Sequence, residues 1–314
     1  MSTGHVLAGV LPVIQTPFTD ADEIDETALR REIGWAFQHE ADGIVTGMVS
    51  EVLRLSTDER ERLAQVVCEE SKSHGGLAVI SCGAESSHTA LRLAAHAQQL
   101  GADAVMAIPP LSVSLGDIAL FAYYRAIIET TTMEVVVQDA SNYVGHAMSI
   151  ELQARLLEQY GDRVSFKPEA EPVGPRLSAL RDATGGRARI FEGSAGAALV
   201  DSHRRGIVGT MPGTEVVWAI RALWDALERG DGARANNICG PLMALAAFQS
   251  TVDGYVAVEK HLLYRQGVLP HVRQRGPLGF QLDDETKVAV DLLFDRLQDA
   301  VGKDVGIPKG DVAS

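Results

Sequence analysis

The chain is poor in the residues that metal and redox chemistry usually draws on. It has three cysteines in 314 residues, Cys68, Cys82 and Cys239, far apart and in no ligand-like spacing. Neither a zinc knot nor a disulfide framework is expected, and a reduced, cytoplasmic compartment fits. Positive charge is also scarce, with 28 Lys and Arg against 42 Asp and Glu and a formal net charge of -14. That balance repels nucleic-acid phosphates and anionic membrane surfaces, so neither is expected as a partner. A small anionic substrate remains admissible, because one amine and a few backbone N–H groups can hold a carboxylate. No apolar run approaches the roughly 20 residues that span a bilayer. Met1 to Val10 lacks a basic stretch followed by an apolar one, so no signal peptide is expected. There is no Gly-x-Gly-x-x-Gly after the first strand and no Walker loop, and no cofactor is expected.

What the chain does have is enough apolar sequence for a large core, 46% hydrophobic against 22% charged residues. Short apolar runs alternate with amphipathic stretches. Strands are expected at Gly9 to Gln15, Gly43 to Thr46, Leu77 to Ser81, Ala104 to Ile108, Glu134 to Gln138, the run from Val164, Arg189 to Phe191 and Gly206 to Thr210. Helices fall between them, one opened by the capping box Ser56-Thr57-Asp58-Glu59 and one capped by Ser149. The seventh is expected over Ser194 to Arg205 and the eighth over Thr214 to Glu228. Continuous apolar strands with helices between them imply a parallel sheet covered on both faces. Eight such units are what a (β/α)₈ TIM barrel needs, in about 250 residues. A doubly wound open sheet is the competing architecture. Beyond Gly230 only helices are expected: Ala233 to Phe248, Val256 to Tyr264 and Asp284 to Val301. The expected organisation is a barrel over 1–230, a C-terminal helical appendage over 231–302 and a frayed tail over 303–314.

Lysine is rare as well, at Lys72, Lys167, Lys260, Lys287, Lys303 and Lys309. Five of these, Lys260 among them, are expected to be solvated. Lys167 ends the apolar run Val164-Ser165-Phe166 and precedes Pro168, so it belongs to a buried strand end. A buried amine must find a partner or lose its charge. Desolvation favours the neutral, nucleophilic form. Strand side chains alternate, so Ser165, Lys167 and Glu169 share one face. The competing reading is a structural Lys-Glu pair.

In a barrel of this kind the site lies at the C-terminal strand ends. Those ends present Thr16 and Pro17, Thr46 to Glu51, Pro109 and Pro110, Gln138 and Asp139, Lys167 and Glu169, Glu192 to Ser194, and Thr210 to Gly213. No histidine or cysteine cluster falls there, so no metal site is expected. His146 is read as a surface loop residue, Glu51 as a loop anchor and Asp139 as a cap. One amine with a carboxylate nearby suits Schiff-base chemistry: an iminium draws electrons from the neighbouring bonds, and the carboxylate moves protons.

Thr16-Pro17-Phe18, Gly47-Met48-Val49-Ser50-Glu51, the lysine after the sixth strand, the Gly193 turn and the helical tail resemble the Schiff-base lyase family of dihydrodipicolinate synthase and N-acetylneuraminate lyase. The resemblance covers nearly the whole chain. It implies a barrel enzyme, usually a tetramer, acting on a 2-keto acid. It assigns Lys167 to the Schiff base and the Met48, Val49, Ser50 loop to the substrate carboxylate, with Ser50 in place of a glycine. The departures are specific. The synthase's catalytic tyrosine is Gln138 here and its relay threonine is Met48. Its partner-chain tyrosine is absent from Leu111 to Leu115, and its substrate arginine aligns with Tyr143. These changes argue against synthase activity. Gln138-Asp139-Ala140 with Lys167-x-Glu169 is similar to the 2-keto-3-deoxy sugar acid dehydratases, such as L-2-keto-3-deoxyarabonate dehydratase, in which the glutamate is the acid-base. There a β-branched residue is commoner than Pro168. Gln138, Gly193 and Met211 are expected to shape the substrate pocket. Three functions follow as expectations: dehydration of a 2-keto-3-deoxy sugar acid, retro-aldol release of pyruvate, or a non-catalytic keto-acid-binding barrel. A homo-oligomer, tetramer or dimer, is expected.

Overall fold

The computed structural model describes residues 6–141 and 145–302. Strands and helices alternate: β1 Gly9–Val10, α1 Glu26–Gln38, β2 Gly43–Val45, α2 Thr57–Ser73, β3 Leu77–Ser81, α3 Ser87–Leu100, β4 Ala104–Ala107, α4 Asp117–Thr130, β5 Glu134–Asp139, α5 Ile150–Tyr160, β6 Val164–Pro168, α6 Val173–Ala183, β7 Phe191–Glu192, α7 Leu199–Arg204, β8 Gly209–Thr210 and α8 Val217–Glu228. Three helices follow, α9 Gly232–Ala246, α10 Val252–Arg265 and α11 Asp284–Val301. Side-chain caps start several helices: Asp25 before α1, Ser86 before α3, Ser149 before α5, and Ser56 in a reciprocal box with Glu59 before α2.

All strand pairs are parallel, in one run β2-β3-β4-β5-β6 and another β1-β8-β7. Isolated bridges extend the ladders and join the runs. Val13 pairs with both Val45 and Gly213, and Phe166 pairs with Ile190. Across these seams Ile14 N–H donates to Val45 O at 3.1 Å, and Phe166 N–H donates to Arg189 O at 2.9 Å. The ring therefore closes as the expected (β/α)₈ barrel. A closed ring leaves no sheet edge.

Side-chain alternation sorts the core into two layers. Leu11, Val13, Val45, Val79, Met106, Val136, Phe191 and Met211 pack together inside the ring. Val135, Val137, Val164 and Phe166 join the larger core under the helices. On β6 the residues of inward parity are thus Ser165 and Lys167, and on β5 they are Val136 and Gln138. The β5–β6 register sets Gln138 directly beside Lys167.

Three expectations need correction. The first strand is a short ladder: beyond Leu11 N–H to Thr210 O, the next donor from β8 would be Pro212, which has no N–H. The seventh helix begins only at Leu199. Ala195 and Gly196 take positive φ values of 54° and 79°, a conformation that a right-handed helix cannot hold. Lys260, expected to be solvated, is fully buried. Its ammonium donates to the Glu51 carboxylate, to Thr16 O at 2.7 Å and to Arg273 O at 2.7 Å. It also lies 4.7 Å from the centre of the Phe18 ring. Glu51 in turn accepts from Arg275 N–H at 2.9 Å, so it anchors its loop as expected. This knot ties α10 to the loops after β1 and β2.

Lys260→Met should leave Glu51 charged and buried without its partner. Equilibrium urea unfolding should then show a loss of about 3–5 kcal/mol. The double variant Lys260→Met/Glu51→Met should recover much of that loss, and equal losses in the single and double variants would refute the pairing.

Candidate active site

Lys167 lies near the C-terminal end of β6 and is 4% exposed. Its ammonium donates to Glu169 Oε1 at 2.9 Å, and Gln138 Nε2 donates to Glu169 Oε2 at 2.8 Å. Both carboxylate oxygens are therefore held by neighbouring side chains. The strand does not stop at Pro168, since Glu169 N–H donates to Asp139 O at 2.9 Å and carries the ladder one residue further. That extra residue turns Glu169 back onto the face of Lys167. Asp139 accepts from Ser141 N–H at 3.1 Å and Met148 N–H at 2.9 Å, and so caps the loop after β5. Burial pushes the Glu169 carboxyl above the usual carboxylate range, while the Lys167 charge and the Gln138 amide pull it back.

Around this pair is a small pocket. Gly193, after β7, leaves room for it: a Cβ there would come within 2.6 Å of Lys167 Cε and would also strike the Glu169 carboxylate. Neighbouring Glu192 is occupied with its own loop, accepting from Ser194 N–H at 2.7 Å and from the Thr210 hydroxyl at 2.7 Å. The pocket roof comes from α10, where Val252, Tyr255 and Glu259 lie on one helical stripe.

A family model described as the dihydrodipicolinate synthetase family matches residues 6–294. The chain belongs to the dihydrodipicolinate synthetase family. It is 28% identical to the 4-hydroxy-tetrahydrodipicolinate synthase of Agrobacterium fabrum, over 90% of this chain and 96% of that one. It is 25% identical to the L-2-keto-3-deoxyarabonate dehydratase of Azospirillum brasilense, over 93% of this chain and 95% of that one. The solved 4-hydroxy-tetrahydrodipicolinate synthase of Methylacidiphilum fumariolicum shares the fold with a TM-score of 0.85. Identity there is 22%, over 94% of this chain and 97% of that one. Enzymes of the dihydrodipicolinate synthetase family are lyases acting on small keto acids. Among the described residues no helix is long and apolar enough to cross a membrane.

Set against the family resemblance, the structure gathers Met48, Val49, Gln138, Lys167, Glu169, Gly193 and Met211 around the pocket. Ser50 is the exception. Its hydroxyl donates to Ile14 O and accepts from Gly47 N–H at 3.1 Å, so it braces the one-turn 3₁₀ helix Met48–Ser50 from behind. His146 is exposed. Tyr143 and the tail 303–314 lie outside the described residues.

Sequence reasoning missed a set of buried carboxylates next to the pocket. Glu32 accepts from Gln15 N–H at 2.8 Å, Glu259 from the Gln15 amide, and Glu215 from Gln249 Nε2 at 2.8 Å. Glu32 stands in the charged run Arg30-Arg31-Glu32, and Glu259 sits beside Lys260, so each reads as a solvated face. The only available hint was the spacing of Val252, Tyr255 and Glu259. Burial raises all three acids: Glu32 to about 8, Glu215 to about 7, and Glu259 well above the usual range.

Because these are acids whose affinity for a proton rises on folding, the unfolded chain sheds its protons first. Their contribution to stability is complete below about pH 4.5 and is lost as pH climbs through about 7 to 8. Unfolding free energy measured by urea titration should therefore decline between about pH 5 and 8. Glu215→Gln should flatten that decline, and an unchanged slope would refute the assignment.

Proposed function

We propose that this protein is a Schiff-base lyase that removes water from a 2-keto-3-deoxy sugar acid. The observation that carries this reading is the buried Lys167–Glu169 contact of 2.9 Å, with Gln138 holding the second carboxylate oxygen. An amide does not titrate, so Glu169 is the proton-transfer group of the trio. Its raised proton affinity lets it take a proton from Lys167 and leave a nucleophilic amine. The amine adds to the C2 carbonyl of the substrate; the carbinolamine hydroxyl takes the proton back from Glu169 and leaves as water, which gives the iminium and restores the Glu169 carboxylate. The substrate carboxylate then lies against the Met48 and Val49 N–H groups, the open donors that begin a helical turn. Electron withdrawal by the iminium acidifies C3, where Glu169 takes the proton, and the C4 hydroxyl departs.

Two features favour dehydration over synthase chemistry. A tyrosine-threonine relay would need hydroxyls where this chain has Gln138 and Met48. The Azospirillum relative, aligned over nearly its whole length, is named a dehydratase. Retro-aldol cleavage shares the iminium and differs in its product, so release of free pyruvate would mark it.

Borohydride in the presence of pyruvate should fix one pyruvate-derived mass on the wild-type protein and none on Lys167→Ala. Trapping that survives Lys167→Ala would sink the assignment. Glu169→Gln should keep trapping and slow turnover of 2-keto-3-deoxy-L-arabonate by about 10²–10⁴-fold. Condensation of pyruvate with aspartate semialdehyde, followed in a coupled reductase assay, should be negligible.

A further inference from the structure

Glu259 lines the same pocket as Lys167 and Glu169 but reaches it from α10 rather than from a strand end. It is fully buried, and although Oε2 accepts from the Gln15 amide, Oε1 has no partner. Glu215 Oε2, also buried, has none either. A Cβ placed on Gly213 would strike both of these oxygens, so they face one another across that glycine. Two charged carboxylate oxygens in such proximity, cut off from water, repel strongly; a proton between them relieves this. The cations nearby offset this only in part: Lys260 and Lys167 favour the charged form of Glu259, but burial outweighs them. From α1, Glu32, itself raised by burial, brings no positive charge. On α10, the Lys260 ammonium is turned away onto Glu51, Thr16 O and Arg273 O. From β6, the Lys167 ammonium is engaged by Glu169.

We propose that Glu259 is the second acid–base group of the pocket, and that the proton it holds against Glu215 is delivered to the hydroxyl leaving C4. This rests on the dehydration reading. In the step, Glu169 takes the C3 proton and the C–H pair becomes the C2=C3 bond of an enamine. That pair then moves to form C3=C4 as the nitrogen lone pair restores C=N. The C4–O bond breaks with its electrons on oxygen, which takes the Glu259 proton and leaves as water. Glu169 has gained one proton and Glu259 has lost one. Water hydrolyses the iminium and frees Lys167, and proton exchange with solvent resets both acids.

The test separates C3 deprotonation from C4–O cleavage. Pyruvate exchanging its methyl protons in D₂O reports Lys167 and Glu169 alone. Elimination from 4-hydroxy-2-oxopentanoate needs an acid at the leaving group, whereas 4-fluoro-2-oxopentanoate releases fluoride with far less need of one. In Glu259→Gln, pyruvate exchange and fluoride release should stay near wild-type rates, while elimination of the hydroxyl falls about 10²-fold or more. Glu215→Gln should keep hydroxyl elimination but lose it at lower pH than wild type, because one neighbouring charge no longer presses the proton onto Glu259. Full hydroxyl elimination in Glu259→Gln would overturn the assignment, as would equal loss with both probes, the mark of a structural defect. A wild type that exchanges no pyruvate protons would overturn the Schiff-base reading, and this inference with it. Exchange without elimination from either probe would leave the Lys167–Glu169 half standing and overturn dehydration together with the role of Glu259.

Discussion

The arrangement of the site depends on a charge that is not in it. The Lys260 ammonium is buried between α10 and the first two strand-end loops, satisfied by one carboxylate and two carbonyls. Buried ion pairs return little net stability once desolvation is counted, so the consequence of this one is geometric. It accepts few alternative arrangements, since any slip of α10 would leave Lys260 or Glu51 charged without a partner. Fixing Lys260 fixes the helical stripe one residue away, and Val252, Tyr255 and Glu259 become the pocket roof.

The wall of the pocket follows from a different constraint, the two-residue period of the strands. Inside the barrel, β5 presents Val136 and then Gln138, and β6 presents Ser165 and then Lys167. Apolar side chains fill the ring below, and polar ones begin where the helix-covered ladder ends. Pro168 faces outward and opposes Asp139, so its missing N–H does not interrupt the face that carries Lys167 and Glu169.

Much of this was legible in the sequence because it is local. The Ser56–Glu59 box, the Ser149 cap, the β3 span and the α11 span follow from propensity and period. Lys167 stood out because a rare lysine ended an apolar strand. The misreadings are tertiary. Lys260 and Glu259 lie in a helix whose sequence reads as amphipathic, and only the barrel mouth behind it makes them buried. Ser50 was placed by its loop, yet the tight turn aims its hydroxyl at Ile14 O rather than at the pocket. The late start of α7 reflects positive φ at Ala195 as well as at Gly196, and alanine gives no warning of that.

A pocket bordered by so many glutamates, in a chain of net charge -14, would be a poor receiver for a keto acid if all of them were ionised. Burial changes that balance. Desolvation is the leading influence on Glu32, Glu169, Glu215 and Glu259, and it acts on each toward the protonated form. Glu32, Glu215 and Glu259 then behave as hydrogen-bond donors and proton stores rather than as fixed negative charges, while Glu169 stays paired with the Lys167 ammonium. The local field is set instead by the Lys167 amine and by the N–H groups at Met48 and Val49. The same desolvation that makes the cluster costly to fold at high pH makes the pocket tolerant of an anionic substrate, and it leaves acids poised to move protons once that substrate is bound.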